Sequence, residues 1–134
     1  APWGEERCAE AWVDEATALE AILGEGAVSA PTGRSLVVRA EVPLHGSTFK
    51  IELSASRPPG SAYPAAPPAL ALRCPGLGPR QLRELTRWAA GVALEAAASE
   101  SPCITDVALG MADKAAEVAA AVPPALESGG GGGG

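Results

Sequence analysis

The chain has 134 residues, of which 47% are hydrophobic and 4% aromatic, and it carries a formal net charge of −6. A chain of this length suits one compact domain, because two separate cores would each bury too little apolar surface. The hydrophobic fraction excludes wholesale disorder. The acidic balance argues against a direct nucleic-acid-binding surface and against adhesion to anionic membranes.

The two ends suggest a domain taken from a longer protein, with a processed short protein as the alternative. The chain starts at Ala1 and closes with the glycine run 129–134, which is typical of a flexible linker. We expect an N-terminal flank at 1–7, a folded domain at 8–124 and a glycine-rich tail at 125–134. No secretory signal pattern and no apolar run of about 18 residues is present in the sequence.

The cysteines indicate the compartment. Cys8, Cys74 and Cys103 are odd in number and widely spaced, which suits neither a disulfide framework nor a zinc site built from close pairs. We therefore expect reduced thiols in an intracellular, cytoplasmic protein, with no bound metal.

The first element is a helix predicted over residues 8–24, because apolar residues recur there at helical spacing and glycine follows. Residues 34–43 and 48–56 alternate between apolar and polar, which predicts two strands joined as an antiparallel hairpin through 44–47. A further, weakly indicated strand covers 27–29. No regular strand can run through the proline-rich segment 57–68.

A third clear strand, 69–74, follows the prolines, and the rest of the domain is helical. One helix is predicted from Pro79, which suits a first-turn position, and another from Ile104 to the prolines at 123–124. The order predicts an α+β domain, α-β-β-β-β-α-α, with helices packed on one face of a small antiparallel sheet of three or four strands. The expected core residues are Trp12, Leu19, Phe49, Ile51, Leu53, Leu70, Leu85 and Ile104.

Two motifs flank the predicted hairpin. Residues 15–25 read EATALEAILGE, and residues 62–72 read AYPAAPPALAL. In this order they resemble the opening helix (Glu-x-x-x-Leu-x-Ala-Ile) and the Tyr-Pro-x-x-Pro-Pro turn of the RWD domain. Residues 75–89 and 101–109 resemble the family's later helix starts. The resemblance covers about residues 8–122 and implies a fold related to that of ubiquitin-conjugating enzymes.

The loop that carries the second motif is predicted to be a rigid structural brace. Tyr63, Pro64, Pro67 and Pro68 form its signature. The prolines fix several φ angles, which lowers the entropy lost when the loop becomes ordered. The tyrosine ring can pack on the sheet edge, and its hydroxyl can bond a nearby backbone group. A direct binding role for Tyr63 is the alternative.

Catalysis is not expected. The His-Pro-Asn tripeptide of ubiquitin-conjugating enzymes is absent, and the single histidine, His45, lies in the hairpin connection. Cys74 stands at the end of the third clear strand, which is too soon for the family's nucleophile. Cys103 begins the last helix, where the helix dipole could lower its pKa, although an inert buried thiol is the favoured interpretation. We find no catalytic triad, metal cluster or phosphate-binding loop, and we predict no cofactor.

Two charged surfaces are candidate partner-binding sites. Glu5, Glu6, Glu10 and Asp14 make one side of the first helix acidic, while Arg73, Arg80, Arg83 and Arg87 concentrate positive charge around the second. Either surface could orient a protein partner, or both could be ordinary solvated faces. The candidate partner-binding residues are Glu10, Asp14, Arg80, Arg83 and Arg87.

Three functions compete. The first is a monomeric, non-catalytic protein-interaction domain of a larger regulatory protein. By resemblance, that protein would be a translational-control kinase, a RING ubiquitin ligase or a DEAH-like RNA helicase, which implies translation regulation or the ubiquitin pathway. The second is a conjugating-type enzyme that uses a cysteine thiol. The third is a spacer domain that binds nothing.

Overall fold

Seven elements make up the computed structural model, which describes residues 4–32, 34–58, 60 and 62–123. The helices and strands follow the predicted order, and together they form an α+β fold. They are α1 (Glu5–Leu23), β1 (Val28–Thr32), β2 (Ser35–Leu44), β3 (Ser47–Ser56), β4 (Ala69–Arg73), α2 (Pro79–Ala98) and α3 (Ile104–Ala121). The predicted tail at 125–134 lies outside the described residues.

The four strands form one antiparallel sheet in the order β1-β2-β3-β4, so each strand pairs with its neighbour in sequence. The central hairpin turns through His45 and Gly46, whose φ angles are 54° and 82°. Two consecutive positive φ angles suit the right-handed twist of a two-residue hairpin. This turn fixes the register of β2 and β3 from Leu44↔Ser47 to Ser35↔Ser56.

The helices cover one face of the sheet. α1 contacts β1, α2 contacts β4, and α3 contacts β2, β3 and both other helices. Alternate strand residues supply the inner face, for example Val38 and Val42 on β2 and Ile51 and Leu53 on β3, and all four are fully buried. α3 is therefore the central helix of the layer.

Six of the eight expected core residues are fully buried, namely Trp12, Leu19, Ile51, Leu53, Leu85 and Ile104. Phe49 and Leu70 are only partly buried, because Phe49 lies near the turn end of the hairpin and Leu70 lies on the edge strand β4. The Phe49 ring rests against the backbone of Gly76, where a Cβ atom would approach it to 2.6 Å. A glycine is therefore needed at position 76.

Two boundaries differ from the prediction by three residues, while other strand and helix ends shift by at most one. α1 begins at Glu5 rather than at Cys8, so residues 5–7 of the expected flank are helical. Acidic side chains in the first turn favour this earlier start through the helix dipole, and Glu5 is also held by Arg57. The weakly indicated first strand extends further than expected, to Thr32, with a register irregularity between Ser29 and Thr32.

The packing predicts contrasting effects for two leucines on the same helix. Leu85 is fully buried between the helices and the sheet, whereas Leu94 is 63% exposed. Replacing Leu85 by alanine should lower the free energy of unfolding by about 2–5 kcal/mol, as measured by chemical denaturation. Leu94→Ala is the matched control and should change it by less than about 0.5 kcal/mol. Equal effects of the two substitutions would contradict this packing.

Candidate functional site

Tyr63 lies at the junction of three segments. Its side chain is buried, and its ring meets the Trp12 ring of α1 edge to face, with centroids 5.1 Å apart and an interplanar angle of 78°. Its hydroxyl accepts a hydrogen bond from the backbone N–H of Cys103 at 3.0 Å and donates one to the Glu15 carboxylate. The proline-rich loop is thereby tied to α1 and to the start of α3.

Glu15 completes this junction from α1. Its Oε2 atom accepts hydrogen bonds from the backbone N–H of Thr105 at 2.7 Å and from the Thr105 hydroxyl at 3.0 Å. No side chain of its own caps α3, so Glu15 supplies an acceptor for the helix N-terminus from another element. Buried negative charge is also favoured at that end of the helix dipole. We call Tyr63, Glu15, Cys103 and Thr105 the Tyr63 junction.

Two of these contacts bear on the bracing role predicted for Tyr63. Its hydroxyl bonds a backbone group, as expected. Its ring packs on the fully buried Trp12 ring of α1, a partner that the sequence did not indicate. Pro64 and Pro68 are buried and Pro67 is exposed. The loop therefore connects helices as well as strands.

All three cysteines are buried. Burial raises the pKa of the Cys74 thiol. The pKa of Cys103 is raised to about 11, chiefly by burial and secondly by the nearby Glu15 carboxylate. The suggested lowering of the Cys103 pKa by the helix dipole is therefore wrong, because desolvation of the thiolate outweighs it. A thiol held in its neutral form is a poor nucleophile.

The structure gives no support to a metal or histidine site in the part of the chain that it describes. His45 is exposed in the hairpin turn. Within residues 4–32, 34–58, 60 and 62–123, no three His, Cys, Asp or Glu side chains come together as a possible metal-binding group.

The four acidic residues predicted for one side of α1, Glu5, Glu6, Glu10 and Asp14, are all exposed. Glu5 is also paired with cations: both of its carboxylate oxygens accept hydrogen bonds from the Arg57 guanidinium at 3.1 and 2.9 Å, and Arg34 lies 3.2 Å away. These cations lower the pKa of Glu5, chiefly through the Arg57 hydrogen bonds. Glu5 therefore has a structural role, because it joins α1 to Arg57 at the end of β3.

The basic candidates lie on α2. Arg80, Arg83 and Arg87 are all exposed there. Arg87 pairs with Glu84 one turn earlier at 3.3 Å, an exposed contact that stabilises little. Among the described residues, Arg80 and Arg83 form no ion pair. In the described part of the chain, no ion pair joins Glu10 or Asp14 to these arginines.

A groove runs between α2 and the edge strand β4. It has a volume of about 260 Å³ and is lined mainly by apolar side chains. Leu70 and Leu72 line it from the strand, Ala90 and Leu94 line it from the helix, and Pro67 lines it from the proline-rich loop. We call this feature the α2–β4 groove. A second depression, which is lined by residues of α2 alone and in part by Arg83 and Arg87, adjoins it and shares Thr86 and Ala90 with it.

Sequence reasoning did not single out Arg57, although its position carries a signal. Its side chain is fully buried and forms the paired contact with Glu5. It also continues the inward-facing alternation of Ile51, Leu53 and Ala55 on β3, so the two-residue period places it against α1. Its pKa is raised, chiefly by the Glu5 hydrogen bond.

Two further buried polar residues were also missed. Glu15 falls within the helical stripe of Trp12 and Leu19, and its spacing indicates the buried face. Gln81, in the first turn of α2, accepts a hydrogen bond from the Gly78 N–H at 2.9 Å and donates one to the Val122 carbonyl at 2.8 Å. A Gln at the third helical position is a capping signal. Its link to the end of α3 depends on the tertiary fold.

Comparisons of the chain with protein-family models, with curated proteins and with solved structures give no match. None of the helices in the described part of the chain is long and apolar enough to cross a membrane.

The Tyr63 junction predicts a distinctive alkaline titration. The pKa of Tyr63 is raised far above its usual value of about 10, chiefly by burial and secondly by the neighbouring Glu15 charge. The unfolded chain releases the phenolic proton from about pH 10 while the folded chain keeps it, so stability should fall as pH rises above about 10.

Because Tyr63 is the single tyrosine, ultraviolet difference absorbance reports on it alone. We expect no tyrosinate signal from the folded chain up to about pH 11, and a signal that appears together with unfolding as followed by circular dichroism. Reversible tyrosinate formation near pH 10 in the folded chain would contradict the buried junction.

Proposed function

We propose that this chain is a non-catalytic protein-interaction domain of the RWD type within a larger intracellular, cytoplasmic regulatory protein. The α2–β4 groove is the observation that carries the proposal. An apolar groove with arginines beside it suits a protein partner, because aromatic or aliphatic anchors can fill the groove while the cations guide association.

The RWD assignment is supported by the position of its motifs within the fold. The Glu-x-x-x-Leu-x-Ala-Ile motif lies in α1, and the Tyr-Pro turn leads directly into β4. Glu15 of the first motif and Tyr63 of the second bond one another. By the resemblance, the parent protein would be a translational-control kinase, a RING ubiquitin ligase or a DEAH-like RNA helicase.

The non-catalytic part of the proposal is supported by the thiols. Cys74 and Cys103 are buried, and the pKa of each is raised, so neither is suited to accept ubiquitin as a thioester. Incubation with ubiquitin and its activating enzyme should give no conjugate that a reductant cleaves. A reductant-sensitive conjugate that is lost in Cys74→Ser or Cys103→Ser would establish the enzyme alternative.

Charge reversal tests which surface binds. In crosslinking pull-downs with the chain as bait, the double variant Arg83→Glu, Arg87→Glu should lose a specific protein captured by the wild type, because both residues line the depression that adjoins the α2–β4 groove. The variant Glu10→Lys, Asp14→Lys is the matched control on α1 and should retain it. All four residues are exposed, so thermal stability should change little.

The reverse pattern would place the partner on α1 and contradict the groove assignment. Failure of the wild-type chain to capture any specific partner would favour the spacer alternative.

A further inference from the structure

The hydrogen-bond pattern of the sheet leaves some backbone N–H and C=O groups of β4 pointing away from its neighbour β3. The two-residue turn makes Leu44↔Ser47 a hydrogen-bonded pair, and such pairs alternate along an antiparallel ladder. The N–H of Arg57, which bonds the Arg34 carbonyl at 2.8 Å, continues this alternation. Odd-numbered residues of β3 therefore bond β2, and even-numbered ones bond β4.

On β4 it follows that Ala71, opposite Ser54, bonds β3, while Leu70 and Leu72 direct their backbone groups to the free edge. Among the described residues, no hydrogen bond from a loop or helix uses those backbone groups. The strand thus presents two N–H and two C=O groups along one line. Such an edge is a template for another strand.

The opposite edge of the sheet is protected in a way that β4 is not. β1 contains Pro31 and a register irregularity between Ser29 and Thr32. A proline and a bulge both obstruct strand addition. β4 has neither, and its pairing with β3 is regular from Ala69 to Arg73. The sheet therefore favours addition at the β4 edge.

The side chains beside this edge indicate what an added strand would carry. Leu70 and Leu72 line the α2–β4 groove on the inner side, so alternate residues of an added strand would enter an apolar environment. Arg73 is 82% exposed on the outer side, 3.9 Å from Glu52, in a contact too exposed to neutralise it strongly. Arg83 and Arg87 add positive charge beside the groove. The occupant that complements these charges is acidic.

We propose that the α2–β4 groove binds an extended acidic segment of a partner protein, which adds to β4 as a fifth strand with alternate apolar side chains in the groove. This inference rests on the proposed function, since it names the class of partner. Main-chain hydrogen bonds to Leu70 and Leu72 provide affinity, and the groove and the arginines provide specificity.

A random-peptide display library, selected against the whole chain, tests the proposal. The selection should enrich peptides in which apolar residues alternate and acidic residues are present. Binding of the synthesised peptides should be lost in Ala90→Glu, which places a bulky anion in the groove, and retained in Ala98→Glu, an exposed control on the same helix outside it.

Backbone methylation of the selected peptide then tests strand addition itself. N-methylation at one set of alternate residues should weaken binding at least about tenfold, because it removes the N–H groups that bond β4, while methylation at the other set should have little effect. The amides of Leu70 and Leu72 should also become protected from hydrogen exchange when the peptide binds.

Each contrary result is decisive. Equal tolerance of both methylated sets, or an enrichment of no peptide at all, would overturn strand addition. Peptides that bind the Ala90→Glu variant but not the Glu10→Lys, Asp14→Lys variant would overturn strand addition at β4. They would leave the proposed interaction function intact. Failure of both this selection and the pull-down would overturn the two proposals together.

Discussion

The Glu15 carboxylate is the group on which the arrangement of helices depends. It accepts hydrogen bonds from the Tyr63 hydroxyl, the Thr105 hydroxyl and the Thr105 backbone N–H, and so joins the proline-rich loop, α1 and α3. A buried carboxylate is costly without such partners, and an uncapped helix start is costly without such an acceptor. The donors at the start of α3 satisfy the carboxylate, and the carboxylate supplies the acceptor that the helix start lacks. Because α3 contacts both remaining helices and the two central strands, fixing its start fixes the whole helical layer.

The position of that layer determines which surfaces can bind a partner. α2 covers the inner side of β4 but leaves a groove along its edge, and its arginines face solvent beside that groove. The proline-rich loop leads directly into β4, so the hydrogen bonds of the Tyr63 junction hold the segment that precedes the strand beside the groove. A preformed edge of this kind costs a binding segment less entropy than an edge that must be ordered on binding.

The periodic elements were predictable from the sequence, and the connections between them were less so. Alternation predicted both strands of the hairpin, and helical spacing predicted the buried faces of α1, α2 and α3. The roles of Arg57, Glu15 and Gln81 in joining distant elements were not predicted. Their partners in those contacts, which are Glu5, Thr105 and Val122, lie more than 35 residues away along the chain. The start of α1 was missed for the same reason, because Glu5 is held by Arg57 from β3.

The candidate site, too, was only partly predictable from the sequence. The exposed arginines of α2 could be placed on a helix from spacing alone, whereas the groove beside them forms only when β4 and α2 come together. The motif around Tyr63 was visible, but its ring partner, Trp12, is 51 positions earlier in sequence. Sequence periodicity reports which face of an element is buried, and it does not report which element covers that face.

A double-mutant cycle on Tyr63→Phe and Glu15→Gln most directly tests whether this junction holds the helices together. Each single substitution should lower the free energy of unfolding by about 1–3 kcal/mol, since it leaves buried polar groups without a full set of partners. The double variant should lose less than the sum of the singles, with a coupling of about 0.5–3 kcal/mol. Tyr63→Phe combined with the exposed Leu94→Ala should be additive and serves as the control. Additivity of Tyr63→Phe with Glu15→Gln, or single effects no larger than that of Leu94→Ala, would contradict the role of the junction.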